Sequence, residues 1–134
     1  MLDPEHSAVR ALAACFALAM AVPLFMIPQQ IGAANPFTAP GMDKVVHATY
    51  YGIIAVLTNI AAGHRPVFAL IVAAAIGAAD EVNQLGVVNR SASWGDWVAD
   101  VLGAVGGLLV YPRVLRWSAA RRQMRRAPND GTSP

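Results

Sequence analysis

Four apolar stretches, separated by short polar or proline- and glycine-bearing breaks, organise the chain. Residues 11–27 form an uninterrupted apolar run that stops at Pro28. Residues 29–41 carry Asn35, Pro36 and Pro40 and read as a loop. Residues 45–62 are apolar except for His47, Thr49, Thr58 and Asn59. Gly63-His64-Arg65 reads as a tight turn, and Pro66 suits the first position of a new helix. That helix is apolar to Ala79 and continues to Gln84, after which residues 85–92 form a short polar connection. Ser93 is a good N-cap, with Asp96 three residues on in the manner of a capping box. The last apolar run reaches Tyr111; from Arg113 the chain is basic, and residues 127–134 read as a disordered polar tail. A span needs roughly 20 residues. The pattern therefore predicts an all-α bundle of four transmembrane helices at about 10–28, 44–62, 66–84 and 94–111, in one membrane domain over residues 1–134.

Composition supports that reading. The chain is 56% hydrophobic and 13% charged, against about 25% charged in ordinary soluble domains. It is too apolar to be disordered, and its one cysteine, Cys15, excludes a disulfide scaffold. A soluble fold of 134 residues could not bury so much apolar surface. A cleaved signal peptide competes for the first run. However, Asp3 and Glu5 make a poor positive n-region, and the run is long for an h-region.

Charge then sets an expected topology. Four spans place Arg10, Arg65, Arg113, Arg116, Arg121, Arg122, Arg125 and Arg126 on one side, and Lys44 and Arg90 on the other. The positive-inside rule puts the first side, with both termini, in the cytoplasm. The arginine cluster after Arg113 reads as an anchor on anionic headgroups. It is short and lacks the interleaved aromatics of a nucleic-acid site, so no nucleic-acid partner is expected. Asp43, Asp80, Glu81, Asp96 and Asp100 all fall on the outer side, at the ends of spans two, three and four.

Helical spacing groups these residues. Asp43 and His47 share a face at i, i+4, and Lys44, His47 and Tyr51 share one at i, i+3, i+7. Glu81 and Gln84 are three apart, and Asp80 and Gln84 four apart. Asp96, Asp100, Gly103 and Gly107 form one stripe on the fourth span. A carboxylate one turn into hydrocarbon costs a few kcal/mol on insertion scales. Glu81 and Asp100 must therefore face other helices, a partner charge or water. Arg90 is expected to fold over the cluster and pair with a carboxylate.

Each residue also has a plainer role. Asp43 and Asp96 suit helix N-termini, and Ser93 suits a cap better than a nucleophile. His47 alone is more often a hydrogen-bonded buried residue than a metal ligand. Tyr50, Trp94 and Trp97 suit an aromatic belt, and Gly103-x-x-x-Gly107 suits close helix packing. Capping and chance do not account for Glu81, Gln84, Arg90, Asp96 and Asp100 converging from three spans.

The ordered set Asp43-Lys44-x-x-His47, Tyr51, Asp80-Glu81-x-x-Gln84, Arg90-Ser91-x-Ser93-x-x-Asp96-x-x-x-Asp100-x-x-Gly103-x-x-x-Gly107 resembles the VanZ-like family. That family is named for a teicoplanin-resistance accessory protein of bacteria. The resemblance runs from about Asp43 to Gly107, with the first span consistent in position and length. It implies a bacterial multi-span membrane protein, lowered susceptibility to teicoplanin-type glycopeptides in some members, and no agreed biochemical activity. It does not make this chain a resistance determinant.

Four functions fit. The first is an envelope binding protein in the inner membrane. Its outer polar pocket would comprise Asp43, Lys44, His47, Tyr51, Glu81, Gln84, Arg90, Ser91, Ser93, Asp96 and Asp100. The ligand would be a lipid headgroup, a peptidoglycan precursor or a glycopeptide. The second is an enzyme on a lipid-linked substrate, using carboxylate and histidine acid–base or metal chemistry. No nucleophile-with-base motif or recognised metal signature supports it, so no cofactor or metal is expected and catalysis is the weaker reading. The third is a small transporter, and the fourth a purely structural use of the polar set. The oligomeric state and the identity of the ligand stay open.

Overall fold

The computed structural model describes residues 4–26, 42–85 and 93–126. Arg90, Ser91 and the tail 127–134 lie outside the described residues, as does the side chain of Asp43. The architecture is all-α: α1 (Pro4–Met26), α2 (Met42–Ala61), α3 (Pro66–Gln84) and α4 (Trp94–Arg126). Three of them, α1, α3 and α4, are long and apolar enough to cross a bilayer. The 20-residue α2 is close in length to α1 and α3 but is not among the three. Its apolar character is diluted by Lys44, His47, Thr49, Tyr50, Tyr51, Thr58 and Asn59. It packs against all three other helices, so much of its polar character is sheltered by protein.

Two boundaries differ from the pattern. Helix α1 begins at Pro4 rather than near residue 10, with proline at its first turn and Glu5 beside its positive end. Helix α4 does not stop at Tyr111; it runs through Pro112 to Arg126. Proline removes one backbone bond and usually breaks a helix. Here Arg113 donates to the Leu109 carbonyl at 2.7 Å and Arg116 to the Pro112 carbonyl at 3.3 Å. Both are bonds from a side chain to the carbonyl four residues back, on either side of the proline turn. The basic stretch from residue 113 continues the helix as far as Arg126. With 33 residues, α4 is about 50 Å long, well beyond the roughly 30 Å of a hydrocarbon core.

Burial is inverted relative to a soluble domain. The buried apolar residues are mostly small: Ala13, Ala55, Ala69, Ala73, Ala99 and Ala104, with Ile54 and Tyr51. Beside them lie the buried polar residues Asn59, Asp80, Glu81, Gln84 and Asp100. Large apolar side chains such as Leu12, Phe16, Leu18, Phe68, Ile71 and Leu102 face outward. Water would penalise that surface, whereas lipid does not. Lipid also gives no hydrophobic drive for helix association, so small residues and polar contacts hold the bundle.

The closest contact is the seam between α2 and α4. A Cβ on Gly103 would overlap the Ala48 carbonyl, and one on Gly107 would stand 2.6 Å from the Gly52 carbonyl oxygen. Ala48-x-x-x-Gly52 on α2 therefore meets Gly103-x-x-x-Gly107 on α4, backbone against backbone. The glycine stripe lies inside the bundle, which sequence alone left open between packing within the chain and packing between copies.

Hydrogen bonds fix the antiparallel neighbours. Arg10 Nε donates to the Ala61 carbonyl at 2.9 Å, so an arginine of α1 caps the negative end of α2. At the other end Tyr50 donates to the Met20 carbonyl, and Asn83 donates to Leu24 at 3.3 Å. The α2–α3 turn has Gly63 at φ 74° and His64 at φ 63°. Glycine takes that conformation without a Cβ penalty, and His64 is held by stacking on Tyr111. Pro66 follows at the first position of α3.

Candidate functional site

Antiparallel connectivity brings the start of α2, the end of α3 and the start of α4 to one end of the bundle. His47 is one turn into α2, Glu81 and Gln84 lie in the last turn of α3, and Asp96 and Asp100 lie in the first two turns of α4. His47 Nδ1 lies 2.9 Å from Asp100 Oδ1. Asp100 is buried, and His47 is half-buried. The His47 ring stacks on Tyr51 at 6.3 Å between centroids and 14° between planes. Tyr51 is itself buried, so the imidazole is held on one face by an aromatic ring and at one edge by a carboxylate.

Lys44 Nζ reaches Asp96 Oδ1 at 2.5 Å, with the lysine largely exposed. Gln84 Nε2 donates to Asp80 Oδ2 at 3.1 Å, one turn back on the same helix. Glu81 Oε2 accepts the backbone N–H of Ser93 at 2.7 Å. Ser93 directly precedes α4. The carboxylate that caps this N-terminus thus comes from α3, while Asp96, the expected capping-box partner, is paired with Lys44. A carboxylate at that position also meets the positive end of the α4 dipole.

Gly77 gives Asp100 its place. A Cβ on Gly77 would lie 2.9 Å from Asp100 Oδ2. The absence of a side chain on α3 is what admits the α4 carboxylate between the helices. Tyr50 and Trp97, expected as belt residues, use their polar atoms between helices. Trp97 Nε1 donates to the Ala74 carbonyl at 3.1 Å, and Tyr50 donates to Met20. Trp94 is 83% exposed, as a belt residue would be.

Buried oxygens at this end without a hydrogen-bond partner among the described residues include Tyr51 Oη, Glu81 Oε1 and Asp100 Oδ2. Buried polar atoms are nearly always paired. A groove of about 660 Å³ borders the cluster. Its walls are Ala78, Val82, Leu85, Trp94 and Trp97, with Glu81 and Ser93 as their polar members. An apolar slot thus runs up to a carboxylate with one oxygen unbonded among the described residues.

Of the residues singled out from sequence, His47, Tyr51, Glu81, Gln84, Ser93, Asp96, Asp100 and Lys44 gather at this end of the bundle. Gly103 and Gly107 lie further along α4, in the seam with α2. Asp43 begins α2, with its side chain outside the described residues, as are Arg90 and Ser91 together with the expected cover of the cluster by Arg90. Sequence reasoning missed Trp97 and Gly77 as site-forming residues. The small residue at Gly77, one turn before Asp80-Glu81, was the available signal.

No curated protein and no solved structure matches the chain. A family model described as VanZ/LLP1 matches residues 2–116, taking in α1, α2, α3, α4 as far as Arg116, and the whole polar end. With apolar helices packed around a polar, small-residue core, the chain is a membrane protein of the VanZ/LLP1 family.

Proposed function

We propose that this protein binds a lipid-borne molecule of the bacterial envelope at the polar end of the bundle. The ligand class comprises a membrane lipid headgroup, a peptidoglycan precursor or an acylated glycopeptide. One observation carries the reading: Glu81 Oε1 and Asp100 Oδ2 are buried acceptors without hydrogen-bond partners among the described residues, and Glu81 also walls an apolar groove. Hydroxyl, amide or amine donors of a headgroup would satisfy the acceptors, and an acyl or prenyl chain would lie along Val82, Leu85 and Trp97. Lys44 and His47 are already oriented by Asp96 and Asp100, ready to meet an anionic group.

In this reading the protein is a multi-pass protein of the inner membrane. All four helices span, both termini are cytoplasmic, and the polar end faces outward. The eight arginines on the side of the termini support that orientation. Any effect on glycopeptide susceptibility follows from holding the drug, or its lipid-linked target, at that outer end.

A photo-crosslinking amino acid at Val82, in the groove wall, tests the reading in cells. Capture of a lipid-linked envelope molecule at Val82, and not at Val110, supports it. Equal labelling of both positions by bulk phospholipid contradicts it.

A second reading is an enzyme on the same class of ligand. It is favoured by the His47–Asp100 pair, a base oriented by a carboxylate, beside a second carboxylate, Glu81. Turnover of a lipid-linked precursor that is lost in His47→Ala supports it over simple binding. Transport lacks comparable support, because Ala55, Ala73 and Ala104, with Leu70 and Leu108, pack into an apolar plug deeper in the bundle.

A further inference from the structure

We infer that His47, Glu81 and Asp100 form a binding site for a divalent first-row transition-metal ion. One ligand atom from each lies within 4.8 Å of the other two, and the three residues come from three different helices. The sequence offers no compact metal motif, because the donors are spread over α2, α3 and α4.

Two independent facts point to a cation. Glu81 is 8% exposed and Asp100 1% exposed, and each keeps a carboxylate oxygen without a hydrogen-bond partner among the described residues. Local charge is also unbalanced. Lys44 lies on Asp96, the amide of Gln84 bonds Asp80 without adding positive charge, and Glu81 and Asp100 face His47. Two buried carboxylates against one imidazole are costly in a low-dielectric setting unless positive charge arrives.

The donor set selects the class of ion. Calcium takes six to eight oxygens, and magnesium keeps most of its water shell. An imidazole with two carboxylates instead suits zinc, manganese or iron(II), with positions left open for water or ligand. Tetrahedral ligands at bonds of about 2.1 Å stand about 3.4 Å apart, so closing the set requires movement of about an ångström. Gly77 and the seam of small residues leave the helix backbones in place while side chains adjust. The assignment rests on the donor set and does not depend on the lipid-binding reading.

The test uses tag-free full-length protein in detergent, stripped by chelator and then loaded with Zn²⁺ or Mn²⁺ alone. The expected result is about one ion per chain for the wild type, matching its single cluster of this kind among the described residues. His47→Ala, Glu81→Gln and Asp100→Asn each lower affinity at least about tenfold, while Arg10→Ala, at the opposite end of the bundle, retains it. One measurement needs no substitution at the site. The chain has three histidines, His6, His47 and His64. In a His6→Ala/His64→Asn background, pulsed EPR of the Mn²⁺-loaded protein should show a directly bound imidazole nitrogen. No uptake by the wild type, unchanged uptake by folded His47→Ala, or a nitrogen-free spectrum overturns the site.

Discussion

His47 and Asp100 stand 53 residues apart in the sequence and meet at 2.9 Å between α2 and α4. The pair sits at the head of the seam in which Gly103 and Gly107 press on the α2 backbone. It therefore joins a polar contact to the closest helix packing in the molecule. Side-chain hydrogen bonds between membrane helices are worth about 0.6 kcal/mol on average and reach about 1.7. A double-mutant cycle of His47→Ala and Asp100→Ala, read by reversible denaturation in mixed micelles, should give a coupling of about 0.6–1.7 kcal/mol. Additive effects would show that the two side chains do not interact in solution.

The seam makes a sharper contrast. Gly103→Ala places a methyl on the Ala48 carbonyl, whereas a Cβ on Gly106 meets nothing within 4 Å. Gly103→Ala should destabilise the bundle by about 1–3 kcal/mol, as overpacking does, and Gly106→Ala should change stability by less than about 0.5 kcal/mol. Thermal unfolding of both in detergent checks the difference. Equal melting temperatures would mean that α2 and α4 are further apart than described.

Gly77→Ala tests how Asp100 is seated. The new methyl would lie against Asp100 Oδ2, a side-chain atom that can swing away. The expected outcome is a protein that still accumulates in the membrane but has lost the ligand or ion held by Asp100. Unaltered binding would show that the carboxylate has another resting place.

Arg10 offers a test far from the site. It caps the last turn of α2 from α1, and its guanidinium lies 3.4 Å from where a Cβ on Gly63 would be. Arg10→Ala should cost about 0.5–2 kcal/mol, the range of a lost cap, and leave binding at the polar end unchanged. Lys44→Ala, at the polar end but exposed, should cost less than about 1 kcal/mol.

Much of the scaffold is legible from the chain. Asp96, Asp100, Gly103 and Gly107 fall on one stripe because the helix repeats every 3.6 residues. Short turns such as Gly63-His64-Arg65 force neighbouring helices to be antiparallel, and this brings the polar ends of α2, α3 and α4 together. The choice of partners is not legible in the same way. Ser93 donates to Glu81 rather than Asp96 because a carboxylate from α3 reaches the same N–H, and local spacing carries no record of that. Lys44 takes Asp96 for the same reason. The passage of α4 through Pro112 was not legible because proline's local preference is to end a helix, and here the helix continues to Arg126. Tyr50 and Trp97 read as belt residues from depth alone, while their bonds to Met20 and Ala74 depend on which helix lies beside them.

The central claim is that the buried carboxylates form a binding site and are not merely glue between helices. The most direct measurement is native mass spectrometry of the protein released from membranes, comparing wild type with Glu81→Gln at equal folded amounts. The substitution keeps the shape, and the side-chain carbonyl can still accept from Ser93. The account predicts that Glu81→Gln accumulates and folds like the wild type but loses the bound envelope molecule. A variant that keeps the same bound species at the same occupancy, or that loses its fold in step with its ligand, would contradict it.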